Sequence, residues 1–298
     1  MTNTPTQPEP MLSAFDPAQF NRQLAWAAIL HRAAITLTAA ALAGILLLPM
    51  ILPEAQRTPV LFAMFIIPAV WLPITLTTQR VARNLPAIGS ALSSDPDRAQ
   101  RLLADALKRK PVMAWARLLT YHRLAVLRHQ QRRFDEAASI CQHILNQPLT
   151  GPASAAKPSL LLMLTESHLA MGNLVGAYHA LSELHRTRLG LAGAIQRLAL
   201  QTRYALKTGA YEHALDHGRE KMQLAELMPP PQCSAMHAML AAAAQKTGRD
   251  KLASWLWERA QLLSPPHLFD QLKQGAFDID VVTGDESAQD APAQSAPA

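Results

Sequence analysis

Charge is missing from two long stretches near the start of this 298-residue sequence. Residues 33–52 and 58–79 hold no Asp, Glu, Lys or Arg, and only the five residues 53–57 part them. A helix rises about 1.5 Å per residue, so roughly twenty apolar residues cross the ~30 Å hydrocarbon layer of a bilayer. Both runs have that length and are flanked by arginine, which argues against a pair of buried core helices. Pro68 and Pro73 lie inside the second run. An interior proline costs a soluble helix about 3 kcal/mol, whereas bilayer-spanning helices tolerate it better. The reading is a transmembrane helical hairpin.

Other absences narrow the function. Catalytic signatures are lacking: there is no phosphate-binding glycine loop, no His-Glu-x-x-His and no Gly-x-Ser-x-Gly. Cysteine occurs twice, at Cys141 and Cys233, without paired spacing. That excludes a disulfide framework and suits the reduced thiols of a cytoplasmic domain. His213 and His217 stand four apart on an expected helix, a spacing that can hold zinc. No third ligand accompanies them, so the pair reads as a solvated face. The sequence points to no enzyme, no cofactor and no metal.

Positive charge sets the orientation. Arg22 and Arg32 precede the first run and Arg80 and Arg83 follow the second, while the connecting residues carry one acid and one base. Arginine on both outer flanks places both termini on the cytoplasmic side of an inner membrane crossed twice. Residues 80–270 carry 24 basic against 14 acidic residues, and residues 271–298 one against five. A basic domain held at the cytoplasmic leaflet is drawn to anionic head groups by about 1 kcal/mol per well-placed residue. Lys108, Arg109, Lys110, Arg132 and Arg133 are the candidates for that contact. Few aromatics interleave with them, so nucleic acid is not the expected partner.

The layout follows. Residues 1–15 read as disordered, and Asp16-Pro17 opens a juxtamembrane amphipathic helix over 16–32. The spans occupy 33–52 and 58–79. In the first, Thr36, Ala40 and Gly44 form a small-residue ridge suited to packing on the second. From residue 80 the pattern is wholly helical and repetitive. Arg132-Arg133-Phe134, Gly172-Asn173-Leu174, Gly209-Ala210-Tyr211 and Gly248-Arg249-Asp250 each open on a short turn. Each is followed by an alanine, at Ala137, Ala177, Ala214 and Ala253, with intervals of 40, 37 and 39. A helix–turn–helix unit recurring at this length marks an α-solenoid.

These residues resemble the tetratricopeptide repeat (TPR). Leucine-plus-small pairs precede the turns at Leu124-Ala125, Leu164-Thr165 and Leu240-Ala241, and Tyr121 stands at the family's tryptophan position. Ser264-Pro265 closes the last unit as the family's terminal proline does. The period exceeds the usual length of about 34. The third unit departs most, with Gln201-Thr202 for the leucine-small pair and Lys221 where an apolar residue belongs. A degenerate fifth unit before the four is left open: Ala99 lies 38 residues before Ala137, but Pro86 and Gly89 fall where its first helix would run. The expected fold is therefore all-α: a hairpin followed by a TPR-like solenoid of four to five repeats over 80–265. A capping segment at 266–283 and a disordered acidic tail at 284–298 complete it.

The resemblance implies a concave face lined by the first helix of each unit, here His122, Val126, His129, Glu166, Arg203, Lys207, Gln245 and Lys246. It implies a membrane-anchored scaffold whose cytoplasmic repeats bind a protein or peptide. The alternative is a structural subunit of a membrane complex or homo-oligomer, assembled through the hairpin.

Overall fold

A computed structural model describes residues 16–51, 58–109, 113–149 and 151–277. The expected disordered ends at 1–15 and 284–298, the hairpin connection at 53–57 and Lys110 lie outside them. The described chain is all-helical, with no strand among its residues. It divides into two compact units, residues 1–163 and 164–298.

In the first unit, helix α1 (Pro17–Ile51) starts where the sequence places it. Asp16 Oδ1 accepts the Ala18 N–H at 2.9 Å, and Pro17 needs no donor at the first helical position. The juxtamembrane helix and first run are one continuous element. Helix α2 (Thr58–Ser94) runs without interruption through Pro68, Pro73 and Pro86. The two pack along Ala34 and Thr38 of α1, with Thr78 of α2 buried and Trp71 Nε1 donating to Thr38 Oγ1.

That seam corrects the expected ridge. Thr36 and Ala40 are exposed, and the Thr36 hydroxyl bonds back to the Arg32 and Ala33 carbonyls. Two residues turn a helix by about 200°, so 34 and 38 lie on the side opposite 36 and 40. The indole N–H needs an acceptor in apolar surroundings, and Thr38 supplies it. Among the described residues, no helix is long and apolar enough to cross a membrane. The side chains of 44–68, the middle of both expected spans, lie outside the description.

The end of α2 pairs with α3 (Pro96–Lys108), which Asp95 caps by accepting the Arg98 N–H at 3.0 Å. Val81, Ile88 and Leu92 pack with Ala99, Leu103 and Ala106. Two packed helices thus occupy the stretch of the expected fifth unit. Gly89 lies beside Arg123 of the helix that follows, and a Cβ there would make ordinary contact with its guanidinium at 3.5 Å. Helices α4 (Ala114–Gln130) and α5 (Phe134–Leu145) follow. Tyr121 of α4 meets Phe20 of α1 edge-to-face at 4.6 Å, and Phe20 is fully buried.

A 3-10 turn (Gly151–Ala156) leads into α6 (Lys157–Ala170), within which the two units divide. Next comes α7 (Leu174–His185), and α8 (Leu191–Lys207) then packs with α9 (Tyr211–Leu215) and α10 (Gly218–Ala225). Then come α11 (Pro230–Lys246) with α12 (Asp250–Leu262), and α13 (Pro266–Phe277). The four turns share one backbone device, a left-handed residue at Arg132, Gly172, Gly209 and Gly248, with φ of 59°, 73°, 73° and 71°. The alanines behind them, Ala137, Ala177, Ala214 and Ala253, are buried. The small side chain lets paired helices approach closely.

The third pair breaks where its sequence departs. Helix α9 ends after one turn, and His217 takes a left-handed φ of 53°. His213 and His217 are therefore not neighbours on one helix, and the i, i+4 geometry is lost. Lys221, out of place as a core residue, donates to the Ala214 and His213 carbonyls at 2.8 and 3.3 Å. It satisfies acceptors that the ended helix leaves open. Helix α13 fills the described part of the expected capping segment and packs Phe269 against Trp257, ring to ring at 6.0 Å.

Candidate functional site

The second unit contains a cleft of about 900 Å³. Helices α8, α11 and α13 line it, together with Glu166 of α6 and the turn at Leu227–Pro229. Along α8 the lining falls at 192, 195, 196, 199, 200, 203 and 207, which is one broad face of a helix. From α11 come Gln232, Ala235, Ala238 and Met239, and from α13 Gln271, Leu272 and Gly275. None of the lining residues lies on α7, α9, α10 or α12, so the walls come from α6, α8 and α11 together with α13 and the 227–229 turn.

Most of the wall is apolar, and the charge is concentrated. Arg203 and Lys207 are half-buried one turn apart on α8. Burial lowers the Lys207 ammonium pKa from its ordinary value, and the Arg203 charge lowers it further. Both effects disfavour a second positive charge there, and neither cation makes an ion pair among the described residues. The cleft offers two adjacent cations beside apolar surface, with Glu166 on the same lining.

Three of the residues expected on a concave face, Glu166, Arg203 and Lys207, come together here. Gln245 and Lys246 are exposed at the end of α11, outside the cleft. His122, Val126 and His129 belong to the first unit and take packing positions. His122 is buried and hydrogen-bonded to Ser159 Oγ at 3.1 Å, and burial pushes its pKa down to about 4. Val126 packs on the α2–α3 core, and the His129 ring stands against Phe134 at 5.3 Å.

The basic cluster also divides. Lys108, Arg109, Arg132 and Arg133 are exposed, with Arg109 paired to Asp105 at 2.8 Å and Arg133 to Glu136. Arg117 and Arg128 turn inward and are buried, Arg128 pairing with Glu136 at 2.9 Å. No group of three or more His, Cys, Asp or Glu side chains fit to hold a metal occurs among the described residues.

Sequence reasoning missed Gln196, Gln232, Met228, Met239 and the whole contribution of α13. The α8 face was legible as an i, i+4 series. The part played by α13 was not, because nothing local tells a capping helix from one that walls a cleft. No family model, curated protein or solved structure matches this chain.

Proposed function

We propose that this chain is a membrane-anchored, TPR-like scaffold that binds a protein or peptide partner in the cleft of its second unit and has no catalysis of its own. The observation that carries the reading is the cleft itself. Glu166, Arg203 and Lys207, named from the repeat resemblance, line one cleft whose walls include the helices α6, α8 and α11. Four left-handed turns at intervals of 40, 37 and 39 residues support the solenoid reading.

For the anchor, the support is the uncharged length of 33–52 and 58–79 and the large apolar side chains exposed beside them. Trp26, Ile29, Leu30, Ile35, Leu37, Leu42, Leu72 and Leu76 are each more than 40 % exposed. That is the surface a bilayer would cover. Both termini then lie on the cytoplasmic side, and Lys108, Arg109, Arg132 and Arg133 stand ready for anionic head groups.

The test is photocrosslinking in intact cells with a reactive side chain at Arg203. A dominant adduct to one other protein is expected, and the chain should stay in the membrane pellet through alkaline and high-salt washes. Adducts to lipid alone, or release by either wash, would reject the scaffold or its anchor respectively.

One observation favours a second reading, a structural subunit assembled through the hairpin. Thr36 and Ala40 face away from α2, leaving a small-residue surface that another helix can approach closely. Gly44→Leu should then reduce the size of the detergent-solubilised assembly, and an unchanged size removes this reading.

A further inference from the structure

We infer that the cleft of the second unit is occupied by this chain's own acidic segment immediately after α13, residues 278–282, so that a partner in trans must displace it. The inference rests on the reading of the cleft as a binding surface and names what fills it in the resting protein. Three observations carry it.

The first is position. Gly275, in the last turn of α13, lines the cleft, and α13 ends at Phe277. Asp278 is three residues past the rim, within about 10 Å of extended chain, and the sequence continues for 21 residues beyond Phe277.

The second is charge. The residues that follow are Asp278-Ile279-Asp280-Val281-Val282, and residues 271–298 hold five acids against one base. The cleft holds Arg203 and Lys207, without ion-pair partners among the described residues, with Glu166 on the same lining, and burial and the Arg203 charge both raise the cost of the Lys207 charge. A carboxylate beside them removes that cost.

The third is spacing. Arg203 and Lys207 are four residues apart on α8, about 6 Å along its axis. In an extended segment, Asp278 and Asp280 point the same way about 7 Å apart, and Ile279 and Val281 point the other way. That spacing would let the two acids pair with the two cations and leave the two apolar side chains for the apolar lining, which includes Ala238 and Met239 of α11. Being tethered, the segment acts at an effective concentration in the millimolar range, so modest intrinsic affinity suffices to fill the site.

The experiment uses the detergent-purified full chain and a chain ending at Phe277, each titrated with a fluorescent peptide of residues 277–288. The shortened chain should bind the peptide at least tenfold more tightly than the full chain. Asp278→Asn with Asp280→Asn in the peptide should weaken binding at least tenfold, with no change to the protein. Arg203→Glu in the shortened chain should do the same, checked for retained helicity. In the full chain, a photoreactive side chain at Ile279 should crosslink within residues 196–239 of the same molecule.

Equal peptide binding by both chains overturns the inference. So does absence of binding to the shortened chain, indifference to the Asp substitutions, or crosslinks only to another copy or another protein. If the Arg203 adduct to a partner survives in cells while the peptide does not bind, the scaffold stands and the tail falls. If the peptide binds as expected and cells give no partner adduct, the reverse holds.

Discussion

His122 and His237 are both buried in helices, and their surroundings give them opposite consequences. His122 is held by Ser159 across from α4 to α6, and burial first, then the Arg123 charge, drive its pKa down to about 4. The unfolded chain binds a proton near 6.5 that the folded chain refuses until about 4. Stability is therefore complete above 6.5 and falls as pH drops through the window between the two values. The loss owed to this residue is about 2 kcal/mol at pH 5. His122→Gln keeps a hydrogen bond to Ser159 and carries no charge at any pH. Urea unfolding at pH 7 and pH 5 should show the variant losing that much less than the parent. Equal losses would assign the acid sensitivity elsewhere.

His237 is also buried and its pKa is lowered, by burial before the Arg259 charge, but neither ring nitrogen has a hydrogen bond among the described residues. An unsatisfied buried polar group is destabilising, and an apolar side chain of similar size removes the penalty. His237→Leu should raise stability by about 1 kcal/mol, read as a higher midpoint of thermal unfolding. The buried Cys141 thiol, pushed up to about 12 by desolvation, is inert for the same physical reason. No sequence pattern separated these histidines from the exposed ones. Burial decides their chemistry, and burial is a property of the neighbours.

At the scale of the element, the turns set helix lengths and pairings. Gly172 adopts φ of +73°, and a Cβ added there would meet nothing within 4 Å, so any cost of Gly172→Ala is backbone strain alone. It should be about 1 kcal/mol. Arg132 occupies the equivalent place with φ of +59° and bears that strain in the native protein. Arg132→Gly should be stabilising by up to about 1 kcal/mol, less the entropy that glycine adds to the unfolded chain. Thermal midpoints of the two variants should move in opposite directions; a shift of the same sign would break the equivalence of the turns.

Lys221 shows what the pattern flagged without explaining. Its departure from the repeat was visible, but its bonds to the Ala214 and His213 carbonyls exist only because α9 stops early. Lys221→Met restores the expected apolar residue and should cost about 1 kcal/mol rather than stabilise. Hydrogen exchange of the amides at Leu215 and Asp216 should quicken.

Taken whole, the N-terminal helices are part of the first unit's core. Phe20 of α1 is fully buried against Tyr121 of α4, with His143 of α5 at 6.0 Å. Phe20→Ala should lower stability by about 3 kcal/mol through the cavity it leaves, measured by urea unfolding in detergent. A loss under about 1 kcal/mol would show the contact to be incidental. It follows that a fragment beginning after the hairpin lacks a piece of core, which is why the tests above use the full chain.

The sequence by itself determined the all-helical class, the start of α1 at Asp16-Pro17, the four turns with their buried alanines, and the charge-free length of the hairpin. Each is written in local signals: proline and capping residues, glycine at left-handed positions, periodic apolar residues, and runs without charge. Tertiary structure alone decided which side of α1 meets α2, that Arg117 and Arg128 turn inward, and that His122 is core. It also decided that α13 joins α8 and α11 around a cleft. Those outcomes depend on packing between residues far apart in the chain, where the indole of Trp71 selects Thr38 over Thr36 and Gly275 of α13 lines the same cleft as Arg203 of α8. No local pattern contains them.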